Sequence, residues 1–324
     1  MPKVVGIGDL SLDLILEIDK IPGTNCFEPL SEGSMQGGGK VPTALVALAR
    51  LGMDAGLAAP VGDDRFGSFC MEELKLAGVD TSRMVIRKNT RTNFCVCLAE
   101  QSTKGRSFIG KLGDVESLKP EELDREYIAG AEWLYLWKMD ETAKCAASWI
   151  HEAGGRVAID ADRYHEEIER GFDRIDLFIG SEYFWHGMKP GGRRNVEGIK
   201  ETLVDIVCAG PSIAVITLGE KGLCGMDENG FFYVPAYQVG VKDTTGAGDV
   251  FHGAYLCGLM KGMDARGAGT FAAAVSAIKC TALGGRAGIP DYNTAIRFME
   301  TGELESGCLE PWIAYYRSAF YEKL

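Results

Sequence analysis

Asp243-Thr244-Thr245-Gly246-Ala247-Gly248-Asp249 leads directly into VFHGAYLCGLMKG at residues 250–262. The stretch divides into a polar turn, a glycine elbow, and an Ala-, Gly- and Leu-rich run with helical spacing. A glycine-rich turn that opens a helix leaves several backbone N–H groups without helical partners, all aimed at one point. Such a point attracts a phosphate or another anion. An acid at that position is not obviously stabilising, because its charge repels the anion. Two readings stay open for the stretch alone. In one, Asp249 is a first-turn acid favoured by the helix dipole, and Gly246 and Gly248 only shape a turn. In the other, the acid and the N–H groups act together on a bound anion.

The surrounding elements indicate the setting. KVVGIG at 3–8 reads as a short buried strand, and Leu14 to Ile18 as a further strand. Gly37-Gly38-Gly39-Lys40 opens the helix VPTALVALAR, which stops at Gly52. A helix is predicted near 67–77, a strand near 84–87, and a hairpin at 92–99 and 106–110. From residue 120 the pattern alternates. Helices are predicted at 120–129, 141–153, 193–208 and 264–283, and strands at 133–137, 157–161, 177–181 and 214–219. Asn229-Gly230 marks a hairpin turn. Apolar strands alternating with helices imply an α/β fold with a mainly parallel sheet covered on both faces. The extended material before residue 112 does not alternate in this way and reads as a small β appendage.

Bulk properties exclude several function classes. The 324 residues are 46% hydrophobic and 25% charged, which is ordinary globular composition. A net charge of −12 without a long basic run argues against nucleic acid and anionic membrane as partners. No stretch approaches the ~20 apolar residues of a membrane span, and the opening MPKVVGIGDLSLDLI, without a basic region before a long apolar run, leads us to expect no signal peptide. The ten cysteines include no C-x-x-C pair, so reduced thiols and a cytoplasmic location are expected. The four histidines form no metal-ligand pattern.

Two nucleotide motifs are approached and missed. Gly6-x-Gly8 lacks the third glycine of a dinucleotide fold, and Gly37-Gly38-Gly39-Lys40 lacks the Ser or Thr and the spacing of a P-loop. Trp133, Tyr135 and Trp137 alternate on a strand and are expected in the core. His252 is expected to pack, and Lys104 and Arg106 to lie in a solvated turn. In open α/β sheets ligands sit beyond the carboxyl ends of the strands. Three polar turns follow strands here: GDLSLD at 8–13, TLGEKG at 217–222, and the stretch at 243–249.

Taken together the motifs are familiar. Gly38-Gly39-Lys40 with its helix, VGDDRFG at 61–67, TLGEKG, DTTGAGDVFHGA and KCTALGGRAGIP at 279–290 occur in one order. In this the chain resembles the ribokinase-like (PfkB) carbohydrate kinases over nearly its whole length. The resemblance implies one ribokinase-like domain over residues 1–324, a three-layer α/β/α fold with a β-sheet lid inserted from about 14–37 and 88–112. It implies ATP with Mg²⁺ as phosphoryl donor and a sugar-like acceptor. Asp249 matches the general base, and the backbone N–H groups of Gly246, Ala247 and Gly248 match the anion hole. Asp13, Gly38, Gly39, Lys40 and Thr43 match the substrate contacts, although the family often has Asn where Thr43 stands. Thr217, Gly219 and Gly222 match the nucleotide turn. Ser181 and Glu182 occupy the atypical segment where the family places a group linked to phosphates and Mg²⁺. Asp243 and Thr245, with the loop 282–288, lie where several members hold a monovalent cation such as K⁺.

The physics suits these roles, because phosphoryl transfer asks a protein mainly to position reactants and neutralise charge. An Asp in a first helical turn should have a low pKa. The ending DTTGAGDVFHGA…KCTALGGRAGIPD resembles the ketohexokinase and sulfofructose kinase branch, which points to a ketose or a related sugar or sugar-acid derivative. A charged acceptor would need Lys40, Arg106, Lys138 or Arg163 in its pocket. The alternatives are a kinase for a nucleoside, pyridoxal or inositol, and a non-catalytic sugar or nucleotide sensor. A homodimer joined through the lid is also implied.

Overall fold

Short strands that are apolar at nearly every position must be covered on both faces. The computed structural model describes residues 1–103 and 105–323, so Lys104 and Leu324 lie outside the described residues. The strands, in order, are β1 (Val4–Ile7), β2 (Ser11–Ile18), β3 (Glu32–Gly38), β4 (Ala55–Ala58), β5 (Pro60–Gly62), β6 (Val85–Arg87), β7 (Asn93–Glu100), β8 (Arg106–Lys111), β9 (Trp133–Leu136), β10 (Arg156–Ala161), β11 (Leu177–Ser181), β12 (Ile213–Thr217), β13 (Leu223–Asp227) and β14 (Gly230–Val234). The helices are α1 (Lys40–Arg50), α2 (Arg65–Leu76), α3 (Arg125–Ala129), α4 (Glu141–Glu152), α5 (Glu166–Glu169), α6 (Glu182–Met188), α7 (Val196–Ala209), α8 (Ala247–Met260), α9 (Ala265–Lys279), α10 (Tyr292–Thr301) and α11 (Glu310–Lys323).

The large sheet runs β14-β13-β12-β11-β10-β9-β1-β4. Its pairs are parallel from β12 to β4, and β13 and β14 fold back antiparallel. One core packs α1, α8, α9 and α10 on one face; the other packs α3, α4, α6 and α7 on the opposite face. The result is a three-layer α/β/α arrangement. A second sheet has the order β3-β2-β7-β8. Its Leu12, Leu14 and Met35 join the first core with residues of α2 and α11. Its opposite face carries Asp13, Gln36, Gly38 and Cys97: Gln36 bonds the Leu283 carbonyl and the Arg286 N–H, Arg286 bonds the Gly38 carbonyl, and Cys97 Sγ lies 3.2 Å from the Thr245 hydroxyl.

Some boundaries moved. β2 begins at Ser11, earlier than the strand expected from Leu14. The helix expected over 120–129 is a short 3-10 turn at Pro120–Glu122 followed by α3. Asp124 restarts the chain there by capping the Tyr127 N–H. The helix expected to reach 283 ends at Lys279. The short helix α6 was not expected; Ser181 caps it by accepting from the Tyr183 and Phe184 N–H groups. No helix among the described residues is long and apolar enough to cross a membrane.

Candidate active site

The turn before α8 is built by Asp243. Its Oδ1 accepts from the Thr245 N–H and the Thr245 hydroxyl, both at 2.8 Å, and its Oδ2 accepts from the Gly284 N–H at 2.7 Å. Gly246 then turns with φ 69°, a left-handed value that glycine adopts without a Cβ penalty. A Cβ there would lie 2.9 Å from the Gly285 Cα. Among the described residues the N–H groups of Gly246, Gly248 and Asp249 have no hydrogen-bond partner. Ala247, expected as a third donor, instead bonds the Thr244 carbonyl at 3.2 Å. The donors left open are therefore those of Gly246, Gly248 and Asp249.

Asp249 itself is half-buried and makes no hydrogen bond among the described residues. The low pKa expected from the helix dipole is overturned. Burial pushes its carboxyl up, the nearby Asp160 carboxylate adds to this, and His252 and Lys40 oppose it. Asp160, at the end of β10, is likewise raised by burial. His252 packs as expected, 3.6 Å from Asp160 Oδ1, and burial lowers its pKa to about 4, so it is neutral at pH 7.

On the acceptor side Asp13 projects from β2. It accepts from the Ser11 hydroxyl at 2.8 Å, and burial raises its pKa to about 6. Gly38 makes the approach possible, since a Cβ there would sit 2.2 Å from Asp13 Oδ2. Asp249 is close enough to add to the rise in the pKa of Asp13. Gly39 caps α1, and Lys40 at its start bonds Asp162 at 2.5 Å and lies over Trp137. Trp137 is thus drawn to the site, unlike Trp133 and Tyr135, which are buried in the core as expected. Thr43 does not face the same space. It is 2% exposed, and its hydroxyl accepts from Arg286 Nε at 3.2 Å.

On the opposite side, the 3-10 turn Gly219–Lys221 follows β12, with Gly219 and Gly222 both at positive φ. The Thr217 hydroxyl bonds the Gly180 carbonyl at 3.3 Å, and the Ser181 hydroxyl bonds the Asp162 carbonyl. These hydroxyls tie strand ends together, so the open groups of the nucleotide turn are its backbone. Glu182 is half-exposed, with neither a hydrogen bond nor an ion pair among the described residues. Among those residues no three His, Cys, Asp or Glu side chains cluster to hold a metal. Mg²⁺ in nucleotide sites binds through one or two carboxylates together with substrate phosphates.

The turn expected to hold a monovalent cation already contains a basic side chain. Lys279 is fully buried, and its Nζ donates to the Asp243 carbonyl at 2.8 Å. Burial lowers its pKa, while the Asp243 charge favours the ammonium. The Lys279 ammonium thus sits on one of the oxygens a bound cation would use.

Of the other basic candidates, Lys138 pairs with Asp140 at 3.0 Å and Arg163 stacks on Tyr183. Arg106 is not merely solvated: from β8 it donates to the Thr244 hydroxyl at the rim of the turn. Lys279, Arg286, Gln36 and Asp160 were not singled out in the sequence. Lys279 left a signal, because it continues the buried stripe Ala268, Phe271, Ala272, Val275 of α9. Arg286 and Gln36 left none, since their partners are more than two hundred residues away.

The family model for pfkB family carbohydrate kinases matches residues 1–292. An ATP-dependent ribose-1-phosphate kinase of Halopiger xanaduensis is 26% identical over 291 residues, covering 88% of this chain and 94% of its own. A nucleoside kinase of Methanothermobacter thermautotrophicus is 23% identical over 301 residues, covering 91% and 94%. An E. coli structure assigned as a ribokinase II, in complex with ATP and Mg²⁺, superposes with a TM-score of 0.80 at 20% identity, covering 93% of this chain and 99% of that one. This last likeness is one of fold.

Proposed function

Because the chain belongs to the pfkB family of carbohydrate kinases, we propose that it transfers the γ-phosphoryl group of ATP to a hydroxyl of an uncharged sugar, with a ketose as the first candidate. The observation that carries this reading is Asp249. A carboxylate without a hydrogen bond stands beside the unpartnered N–H groups of Gly246 and Gly248 and faces Asp13. Asp13 would hold the acceptor hydroxyls, aided by the backbone of Gly38 and Gly39 and by Lys40. Asp249 would accept the proton of the attacking hydroxyl as its oxygen bonds phosphorus and the bond to ADP breaks. The open N–H groups would stabilise the negative charge on the phosphoryl oxygens. ATP would lie over the 217–222 turn. When bound, Mg²⁺ neutralises charge on the β- and γ-phosphates, and Glu182 is the carboxylate free to hold it, directly or through water.

An uncharged acceptor fits the charge balance. Asp160, Asp162 and Asp249 lie around one lysine, Lys40, which is already paired with Asp162, and Asp13 lies near Asp249. A phosphate or sulfonate on the acceptor would be repelled by these carboxylates, and among the described residues Arg106 at the rim, without a carboxylate partner, is the cation that would have to answer it. The second sheet serves as the lid over this space, and its outer strand β8 is the surface for a homodimer. Lys279 replaces a bound K⁺.

An ADP-release assay against sugars, sugar phosphates, nucleosides, pyridoxal and inositol tests this. The expected result is turnover with a neutral ketose or aldose. Turnover confined to nucleosides, pyridoxal or inositol would move the enzyme to a kinase for non-sugar alcohols. Saturable sugar binding with no turnover of any acceptor would mark a sensor and sink the kinase reading.

A further inference from the structure

The family model ends at residue 292, and α11 lies beyond it. Yet α11 reaches the acceptor turn through an unbroken chain of buried polar contacts. Tyr316, fully buried, donates to Glu73 Oε1 at 2.5 Å and accepts from Arg50 Nη2 at 2.8 Å. Trp312 lies against the Arg50 guanidinium, 3.5 Å from ring centroid to Cζ. Glu73, also fully buried, accepts from the Gly37 N–H at 2.8 Å and from Arg286 Nη1 at 2.6 Å through its other oxygen. Arg286 completes the circuit by donating to the Gly38 carbonyl at 3.0 Å. Its own carbonyl accepts from Arg50 Nη1 at 2.5 Å. Phe320 on the same helix sits where a Gly33 side chain would be, 2.3 Å from the position of its Cβ, so α11 also backs the strand that leads into the turn.

We propose that α11, through Tyr316, is a positioning element for acceptor binding: it orients Glu73 and Arg286, which together fix the peptide groups of Gly37 and Gly38 beside Asp13. The physical reason is geometric. Glu73 and Arg286 are the side chains that hold the Gly37 N–H and the Gly38 carbonyl. A buried carboxylate with two oxygens and several donors can rotate unless each oxygen has its own partner. Tyr316 occupies Oε1, leaving Oε2 for Gly37 and Arg286. Removing the phenol hydroxyl frees Oε1 and loosens both holds on the turn. The nucleotide turn 217–222 lies outside this circuit. The inference rests on the assignment of residues 37–39 to the acceptor.

The test is Tyr316→Phe, which keeps the ring and its packing. Hydrogen exchange of the peptide covering 33–40 should accelerate, with peptides covering 217–222 unchanged. The KM for the acceptor should rise roughly five- to tenfold, the loss expected of one charge-assisted hydrogen bond, with the KM for ATP unchanged. Unchanged exchange at 33–40 in folded Tyr316→Phe would overturn the positioning role. A role in global stability alone would speed exchange everywhere and leave both KM values alone, which also overturns it. Faster exchange at 33–40 with an unchanged acceptor KM would instead overturn the assignment of that turn to the acceptor.

Discussion

At the scale of single residues, Asp249 shows two opposed electrostatic effects and which one wins. The helix dipole is worth at most a few tenths to one kcal/mol at an exposed terminus, whereas burial beside Asp160 raises a carboxyl by more than that. A base with a raised pKa is a stronger base that is still ionised at neutral pH. The acid limb of kcat/KM should therefore fall as pH drops through about 6 rather than near 4. Asp249→Asn should lose roughly 10²–10⁴ in kcat while binding ATP normally; near-normal turnover would reject the base assignment. The sign for stability is the reverse of a paired acid's. A folded pKa above the ordinary 3.8 means the ionised form opposes folding, and the penalty vanishes only below 3.8. Asp249→Asn should accordingly melt higher than the wild type at pH 8, with the gap closing as the pH approaches 4. Lys279 carries a second residue-scale prediction. If its ammonium is the cation of the 243 turn, wild-type rates should be equal in K⁺ and tetramethylammonium salts. Lys279→Met should then be slow and partly rescued by added K⁺ or NH₄⁺. A wild type strongly stimulated by K⁺ would refute this.

At the scale of elements, the site is made where helices and strands end. α8 begins without a side-chain cap, and its first N–H groups stay open for that reason. By contrast α2, α4, α7, α9 and α10 each begin with an Asp or Asn whose side chain takes an N–H group. α1 shares an uncapped start, so the open N–H groups of α8 draw their meaning from the Asp249 carboxylate beside them. Gly246→Ala should cost about 1–2 kcal/mol of stability for the left-handed backbone and lower kcat as the open N–H groups shift. A melting temperature and rate equal to wild type would show that the elbow tolerates a side chain. The sequence made this turn legible because glycines and acids at fixed spacing declare local backbone geometry. It also made α8 and α1 legible by their Ala- and Leu-rich runs. It hid α6, whose seven residues EYFWHGM are too few for a period to register.

At the scale of the whole molecule, the second sheet has unequal edges. β3 is backed by α11 through Phe320 and Gly33, while β8 is an outer strand with Phe108 55% and Ile109 64% exposed, and Leu112 beyond it 85% exposed. An open strand edge with apolar side chains is a template for pairing with another chain. We expect a dimer by light scattering at micromolar concentration and a monomer for Ile109→Lys. A monomeric wild type would remove the dimer.

The sequence by itself determined the mainly parallel, doubly covered α/β class, much of the alternation after residue 120 and the candidate turns, but not β4, α6, α10 or α11. Apolar strand runs, helix stops and glycine spacing are local properties, and five motifs in one order named a family before any coordinates. Only the tertiary structure decided the electrostatics and the wiring. The raised pKa of Asp249 depends on Asp160, the place of Lys279 on Asp243, the turning inward of Thr43 on Arg286, and the reach of Arg106 on Thr244. Each of these is a meeting of side chains from distant segments. Burial and partner choice are set by which surfaces pack together, and no local pattern along the chain encodes that.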